Sequence, residues 1–372
     1  MITSSALGIV FANVHDNLIS ELTEKRSMAS IPFGARYRLV DFSLSNLVNA
    51  GISKVGIITR ENYQSLMDHL GSGKAWDLDR KNGGIFILPP YSSYKMNIFR
   101  GHVDALAGIM TFLERSTEEY VVMCDADVVS NIDIEDMLRH HKSLGADVTV
   151  ACKTGNLPLN EKDIMIFGTD KDGWVTSIET AEKSLNDVNF SLDIFVIKRE
   201  LLIDWIKSAS RKSSVSLTRD VFIPKIGSMK MLTYKVDTFA EVIDSADGYV
   251  KTSKMLLDAA VRRELFNSER PVYTKTLDDM PTRYGIDAIV QNSLVGNGCV
   301  IEGTVKNSIL FRGVTVEKGA AIENCILMQG TYVGKNSVLK NITADKGVRI
   351  NDGVTLMGSD EKYVFIGKGK EI

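Results

Sequence analysis

A six-residue repeat of aliphatic side chains begins near Ser293 and leaves few folds open to the C-terminal part of the chain. Its members are Leu294, Val300, Leu310, Val316, Ile322, Met328, Val333, Leu339, Val348 and Val354. Glycine and asparagine fill many of the intervening positions, as in the run 295–298. A period of six with β-branched residues predicts a β-helix in which each flat face takes one hexapeptide. The register slips in places, so we expect imperfect coils.

The N-terminal part has a different sequence pattern, in which apolar runs alternate with amphipathic segments. The predicted strands are Ala6–Phe11, Val55–Thr59, Tyr120–Cys124, Asp147–Ala151 and Phe190–Ile197. The predicted helices are Asp41–Ala50, Asn62–Leu70, Val103–Leu113 and Ile134–Leu144. This order predicts a mostly parallel sheet with ligands at the carboxyl ends of its strands. We therefore predict an α/β domain over residues 1–240, a helical connector and linker over 241–285, and a β-helix over 286–372.

Composition narrows the class of protein. The 372 residues are 44% hydrophobic and 24% charged, as in ordinary globular proteins. A net charge of −3 gives no reason to expect nucleic acid or an anionic membrane as a partner. No apolar stretch approaches the roughly 20 residues that a membrane span requires. The four cysteines are scattered through apolar runs, so we expect buried reduced thiols and a cytoplasmic location.

Four short motifs mark the α/β part of the chain. They are PFGARYRLVDFSLSN at 32–46, NAGI at 49–52, FRG at 99–101 followed by Asp104–Ala105, and VVMCDAD at 121–127. In order and spacing they resemble the glucose-1-phosphate adenylyltransferase (ADP-glucose pyrophosphorylase) family over nearly the whole chain. The resemblance implies a mostly parallel, Rossmann-like nucleotidyltransferase domain followed by a short left-handed β-helix. It also implies transfer of an adenylyl group from ATP to glucose 1-phosphate with the help of Mg²⁺.

The loop that grips the triphosphate departs from this family. The family has a GGxGTRL loop with a catalytic arginine, whereas residues 12–18 of this chain read ANVHDNL. Glycine allows successive backbone N–H groups to approach a phosphate closely, and this stretch has neither glycine nor arginine. Asp16 would also bring negative charge to a phosphate site. We therefore expect that the triphosphate grip is lost.

The metal site implied by the resemblance is also incomplete. Asp127 matches the first of the two Mg²⁺-binding aspartates, and Val242 stands where the second should be. Asp244 lies two residues further on and would serve only if the loop were re-threaded. We therefore expect Mg²⁺ binding to be weak or absent.

The resemblance further implies a set of substrate-binding candidates, while no catalytic residue is assigned. The candidates are Phe99, Gly101, Asp104, Glu179, Lys183, Ser191 and Asp193. Met28 replaces a family lysine. The family's sugar-phosphate lysine is either lost, with Glu179–Thr180 in its place, or supplied by Lys183 after a small insertion. Asp193 falls where the family usually has glycine, which adds bulk and negative charge beside the sugar pocket.

The histidines predict no alternative chemistry. His102 interrupts a family motif near the pocket, and His140 and His141 are adjacent on a predicted helix and cannot face one metal. All five histidines precede residue 142, which argues against a hexapeptide-repeat acyltransferase.

Three functions remain open. The first is a regulatory or low-activity subunit that joins a catalytic ADP-glucose pyrophosphorylase subunit in a hetero-oligomer, expected to be a tetramer. This chain resembles the D-type glycogen biosynthesis homologue most. The second is an adenylyltransferase active alone, and the third is a non-catalytic sensor of sugar phosphate or nucleotide. A homo-oligomer is also possible in isolation.

Overall fold

The computed structural model describes residues 5–89, 100–157, 164–181, 185–212, 214–360 and 362–372. The strands of the N-terminal part are β1 (Ala6–Phe11), β2 (Pro32–Phe33), β3 (Tyr37–Arg38), β4 (Lys54–Ile58), β5 (Gly84–Leu88), β6 (Tyr120–Asp125), β7 (Val128–Ser130), β8 (Val148–Gly155), β9 (Met165–Thr169), β10 (Val175–Thr180), β11 (Val188–Lys198), β12 (Met231–Lys235) and β13 (Ala240–Val242). Nine of these described strands form one sheet, in which β10, β9, β11, β6, β1, β4 and β5 lie side by side. Strand β8 pairs with β11 and with β12.

The centre of this sheet is parallel, as predicted. Strand β1 pairs in parallel with β4 and β6, and β4 with β5. Strand β11 adds an antiparallel flank against β6. Every residue of β1 and β6 is buried, which explains their continuous apolar sequences. The carboxyl ends of β1 and β6 therefore meet at one edge.

Helices cover the sheet and lead to the second part of the chain. They are α1 (Ser20–Thr23), α2 (Leu39–Asn49), α3 (Gln64–Leu70), α4 (His102–Gly108), α5 (Met110–Arg115), α6 (Ile134–Leu144), α7 (Arg199–Arg211), α8 (Ala246–Met255) and α9 (Ala259–Leu265). Short 3-10 or π turns occupy Asp16–Ile19, Met28–Ser30, Lys74–Trp76, Thr218–Phe222 and Ile223–Lys225. The predicted single helix over 103–113 is wrong, because Ile109 leaves the helical conformation and separates α4 from α5. No described helix combines the length and apolarity needed to cross a bilayer.

The C-terminal part is the predicted β-helix. Its strands are β14 (Arg283–Tyr284), β15 (Ile289–Gln291), β16 (Leu294–Val295), β17 (Val300–Ile301), β18 (Thr304–Lys306), β19 (Ile309–Leu310), β20 (Thr315–Val316), β21 (Ala321–Glu323), β22 (Ile326–Leu327), β23 (Tyr332–Val333), β24 (Val338–Lys340), β25 (Ile342–Ala344), β26 (Arg349–Ile350), β27 (Thr355–Met357) and β28 (Val364–Ile366). In the described chain they form three parallel sheets of five strands each.

Coil length explains why the six-residue register slips. Thr304 pairs with Ala321, which pairs with Val338, so these coils have 17 residues instead of the 18 of three full hexapeptides. The first described coil is shorter still, since Ile289 pairs with Thr304. Asparagines 292, 307, 324 and 341 have positive φ at one corner of successive coils. Asparagine tolerates this left-handed conformation better than most residues, so the corner recurs in the sequence.

The two parts share an apolar core in which one ion pair is buried. Ile19, Met28 and Phe33 from the α/β part pack in the same cluster as Phe311 and Met328 from the β-helix. Within this region the guanidinium Nη2 of Arg26 lies 2.8 and 2.7 Å from the two carboxylate oxygens of Asp345. Both residues are almost fully buried, at 2% and 4% exposure. The pair therefore ties the segment before Met28 to the β-helix.

We predict that Asp345→Asn destabilises the protein by about 3–5 kcal/mol, because the Arg26 charge is then buried without its counter-charge. Guanidinium-induced unfolding measures the change. Glu371→Gln is the matched control, since its exposed contact with Arg349 should contribute less than about 1 kcal/mol. The combined change Arg26→Met with Asp345→Leu should recover most of the loss. A cost of Asp345→Asn no larger than that of the control would contradict this account.

Candidate functional site

A cluster of acidic and imidazole side chains lies where the carboxyl ends of β1 and β6 meet. Phe11 pairs with Asp125 across these strands, and the Ala126 N–H donates to the Phe11 carbonyl at 3.1 Å. The chain then leaves β1 into the residue 12–18 loop and leaves β6 toward Asp127. The loop therefore passes directly over the two aspartates. This is the edge at which open α/β sheets bind ligands.

Two histidines contact the two aspartates. The His15 Nδ1 atom lies 2.5 Å from Asp127 Oδ2 and 3.7 Å from Asp125 Oδ2. The His102 Nε2 atom, from the start of α4, lies 3.1 and 3.0 Å from the two Asp125 oxygens. Burial opposes a charged His102 ring, but the Asp125 carboxylate outweighs burial and raises the His102 pKa. His15 and His102, for which the sequence predicts no alternative chemistry, therefore both lie in this cluster.

Asp193 joins the same cluster through a bulge in β11. The pairing of β11 with β8 shifts register between Ser191 and Phe195, and Asp193 has a φ of +49°. Glycine adopts this conformation without strain, which gives a physical reason for the glycine usual at this position in the resembling family. Ser191 Oγ donates to Asp193 Oδ1 at 2.9 Å and accepts the Asp193 N–H at 2.9 Å. Burial, and then the nearby Asp125 charge, raise the Asp193 pKa to about 6.

The residue 12–18 loop is held by its own side chains. Asn13 Nδ2 donates to Asp16 Oδ2 at 2.6 Å, and the Met28 N–H donates to Asp16 Oδ1 at 2.7 Å. Asn13 Oδ1 accepts the Arg60 N–H at 3.0 Å. Burial raises the Asp16 pKa to about 6. The expectation that Asp16 presents its charge to a phosphate is wrong, because its carboxylate turns inward and binds backbone and Asn13.

The space beside this loop is small. A cavity of about 280 Å³, open solvent included, lies between Phe11, Asn13, Arg60 and Gly101. Gly101 is needed here for packing, since a Cβ atom would lie 2.7 Å from the Val215 carbonyl oxygen. Asn13 and Val14 of the loop thus form one wall of this small cavity.

The described residues do not fit the two-aspartate site of a Mg²⁺ ion. Val242 pairs with Val128 in a short antiparallel ribbon, and the Ile243 N–H donates to the Asp127 carbonyl at 2.9 Å. Val242, an aliphatic residue, therefore stands at the position where the second metal-binding aspartate is expected, and the carboxylate near Asp127 is that of Asp125 instead. In addition, the His15 imidazole contacts Asp127 Oδ2. Mg²⁺ prefers a near-octahedral set of oxygens, so this arrangement departs from its requirements.

The remaining predicted residues are dispersed. Asp104 lies in the first turn of α4, where it accepts the Arg100 Nε–H at 2.8 Å. Glu179 is exposed on β10, the outermost described strand on its side of the sheet. Phe99 and Lys183 lie outside the described residues. The structure thus brings together Gly101, Asp127, Ser191 and Asp193, but not Glu179.

Sequence reasoning missed His15 and Asp125 as members of the site. The sequence places His15 in a loop without glycine and Asp125 in a strand-end motif, and neither position indicates a shared site. The alternation of Cβ directions along β6 and the position of the loop over it could have suggested both residues. The contact of His15 with Asp127 requires the loop conformation, which the sequence does not show.

A second candidate site lies between the α/β part and the β-helix. A cleft of about 670 Å³, open solvent included, is lined by basic residues from both parts: Arg36, Arg38, Lys275, Arg312 and Lys346. Burial, and then the charges of Arg38 and Arg26, lower the Lys346 pKa to about 7. Asp68 is the acidic residue among the described lining residues. Such an excess of positive charge suits an anionic ligand.

Comparison with known proteins places both parts of the chain. The family described as Nucleotidyl transferase matches residues 18–163, and the family described as GlmU-like, C-terminal hexapeptide matches residues 275–363. The glycogen biosynthesis protein GlgD of Bacillus subtilis (strain 168) is 36% identical over 370 residues, covering 99% of this chain and 97% of the relative. Glucose-1-phosphate adenylyltransferase of Clostridium perfringens (strain 13 / Type A) is 32% identical over 378 residues, covering 98% and 95%. These matches agree with a nucleotidyltransferase domain followed by a left-handed β-helix.

We predict that Asp16→Ala loosens the loop and lowers stability by about 1–3 kcal/mol, because the Met28 N–H and the Asn13 amide lose their acceptor. Denaturant unfolding and amide hydrogen exchange over residues 13–19 measure the two effects. Glu21→Ala, an exposed acidic residue in the following turn, is the control and should change neither. Unchanged exchange in Asp16→Ala would show that other contacts hold the loop.

Proposed function

This chain belongs to the family of the glycogen biosynthesis protein GlgD and glucose-1-phosphate adenylyltransferase, and from that premise we propose that it is a regulatory or low-activity subunit of ADP-glucose pyrophosphorylase. In this role it joins a catalytic subunit that converts ATP and glucose 1-phosphate into ADP-glucose and diphosphate. We further propose that the assembly is a hetero-oligomer, expected to be a tetramer.

The observation that carries this proposal is the internal closure of the phosphate-binding edge. The Asn13–Asp16 contacts occupy the polar groups of the loop, and His15 lies against Asp127. A productive ATP pose would require these contacts to break. Each phosphate-stabilising donor that is missing costs about 10²–10³ in rate, by analogy with oxyanion-binding groups. Loss of the loop arginine together with a metal-binding carboxylate therefore removes most turnover, while the buried sheet and the β-helix are kept.

The basic cleft between the two parts favours regulation over a purely structural role. It is independent of the closed edge, and it combines residues from both domains. An anion bound there would bridge Arg36 and Arg38 of the α/β part to Arg312 and Lys346 of the β-helix. Such a ligand would favour one relative arrangement of the domains, which is how binding at one site is coupled to another. The same cleft supports a second candidate function, an anion sensor without a catalytic partner.

We predict that the purified chain alone forms ADP-glucose at least about 10³-fold more slowly than a relative with an intact GGxGTRL loop, because the phosphate grip is missing. Coupled detection of diphosphate release measures the rate. When this chain is mixed with the catalytic homologue from the same source, we expect a mixed oligomer in native mass spectrometry and a changed rate or effector response.

Three results bear on this proposal in different ways. Turnover of the chain alone close to that of the intact-loop relative would establish an independent enzyme. Failure to associate in native mass spectrometry would exclude the subunit role. If the chain does not associate with the catalytic homologue but binds an anion in the cleft, the result would support the second candidate function, an anion sensor.

We predict that Lys346→Met weakens binding of inorganic phosphate to the chain by about 10-fold, because it removes one charge from a partly buried cleft. Isothermal calorimetry measures the affinity. Binding of sulfate, whose charge does not change near neutral pH, should strengthen as the pH falls through about 7, since Lys346 then gains its proton. Lys335→Met, an exposed lysine elsewhere on the β-helix, is the control. Equal affinities of the two variants would exclude the cleft as the phosphate site.

A further inference from the structure

Hydrogen bonds join the residue 12–18 loop to the segment 23–29 that follows it in the chain. The Thr23 hydroxyl donates to the Asp16 carbonyl at 2.7 Å, and the Met28 N–H donates to the Asp16 side chain at 2.7 Å. Both bonds depend on the position of the 23–29 backbone. A displacement of this segment therefore breaks contacts that hold the loop in its closed conformation.

The same segment is anchored in the β-helix through Arg26. The Arg26 N–H donates to the Thr23 carbonyl at 3.2 Å, and the Arg26 guanidinium contacts both carboxylate oxygens of Asp345. Separating the two charges of a buried pair is costly, so these residues keep one relative position. Asp345 therefore fixes, through Arg26, the segment to which the loop is hydrogen-bonded.

Asp345 also contacts a residue of the basic cleft. The Lys346 N–H donates to Asp345 Oδ1 at 2.6 Å, and Lys346 is among the residues that line the cleft. Burial, and then the like charges of Arg38 and Arg26, lower the pKa of the Lys346 ammonium to about 7. A change of charge at Lys346 therefore alters the electrostatic potential at Arg26. The cleft and the loop share no described residue, and the Arg26–Asp345 pair lies between them.

We propose that an anion bound in the basic cleft holds the residue 12–18 loop closed, and that the Arg26–Asp345 pair transmits this effect. The anion offsets the repulsion among the cleft cations and favours the domain arrangement in which the pair is made. The pair then positions the segment 23–29, which keeps Asp16 hydrogen-bonded. Arg26 is a positioning residue, because it acts on the loop through this segment. The inference rests on the anion cleft of the proposed function, but it requires no partner subunit.

The test is amide hydrogen exchange of the full chain with and without saturating inorganic phosphate, after calorimetry has measured phosphate binding. We expect phosphate to slow exchange over residues 12–18 by at least about 5-fold, the lower end of typical coupling between two sites. The double variant Arg26→Met with Asp345→Leu leaves the net charge near the cleft unchanged, so phosphate should still bind. Its effect on the loop should then fall below about 2-fold. The matched control is Glu114→Gln with Lys207→Gln, which removes an exposed ion pair outside the cleft lining and should keep the full effect.

A pair with a merely structural role would change loop exchange equally with and without phosphate and leave the effect of phosphate intact. That result would overturn the proposal, and so would phosphate that binds without slowing exchange over residues 12–18. Phosphate that does not bind would remove the anion cleft and this inference with it. Calorimetry distinguishes that failure from a failure of transmission between the cleft and the loop.

Circular dichroism establishes that the double variant folds, and if it does not, Arg26→Lys decides. Lysine keeps the positive charge but is shorter and lacks the planar set of guanidinium donors, so the effect of phosphate should fall by at least about half. An undiminished effect in Arg26→Lys would then overturn the proposal. Because association with a catalytic homologue is not measured, the subunit role is tested separately.

Discussion

The buried pair between Arg26 and Asp345 lies at the junction on which the rest of the arrangement depends. A charged pair taken out of water is stable only when its geometry is good, and here one guanidinium nitrogen contacts both carboxylate oxygens. Apolar side chains from both domains surround this junction. The segment that follows Arg26 leads to Met28, whose N–H donates to Asp16. The position of the closed loop is thus connected to the β-helix through a short stretch of backbone.

That connection gives the closed loop a physical explanation. A loop that binds phosphate needs free N–H groups and room for the anion, and it keeps them by using glycine. Here side chains supply the acceptors instead: Asp16 binds the Met28 N–H, and Asn13 binds the Arg60 N–H. The hydrogen bonds that hold this loop conformation are made by protein groups, and none of them requires a ligand. The polar side chains that stand where the family has glycine therefore hold the loop without a ligand.

At the end of strand β6 and the bulge in strand β11, protein side chains likewise balance the charge without a ligand. Asp125, Asp127 and Asp193 converge at one edge, where carboxylates would repel one another without a nearby cation. The two histidines lie against this group and supply positive charge when they are protonated. Only in the folded chain do these residues approach, since they come from four separate segments. The altered site is therefore a coherent polar cluster of its own, and the basic cleft near Asp345 is a separate feature.

The sequence by itself determined the two-part architecture, the strand β1, helix α6 and the absence of glycine and arginine from residues 12–18. These features are local: six-residue periodicity, apolar runs and the absence of glycine are all visible within short windows. The resemblance also aligns Asp193 with a position where the family usually has glycine, and Val242 with the family's second Mg²⁺-binding aspartate. Only the tertiary structure decided that Asp16 turns inward, that Ile109 interrupts a helix, and that His15 and His102 contact aspartates. Those outcomes depend on which distant segments contact one another in the folded chain. They also depend on the balance between the cost of burying a charged group and its attraction to a neighbouring charge. A short stretch of sequence determines neither.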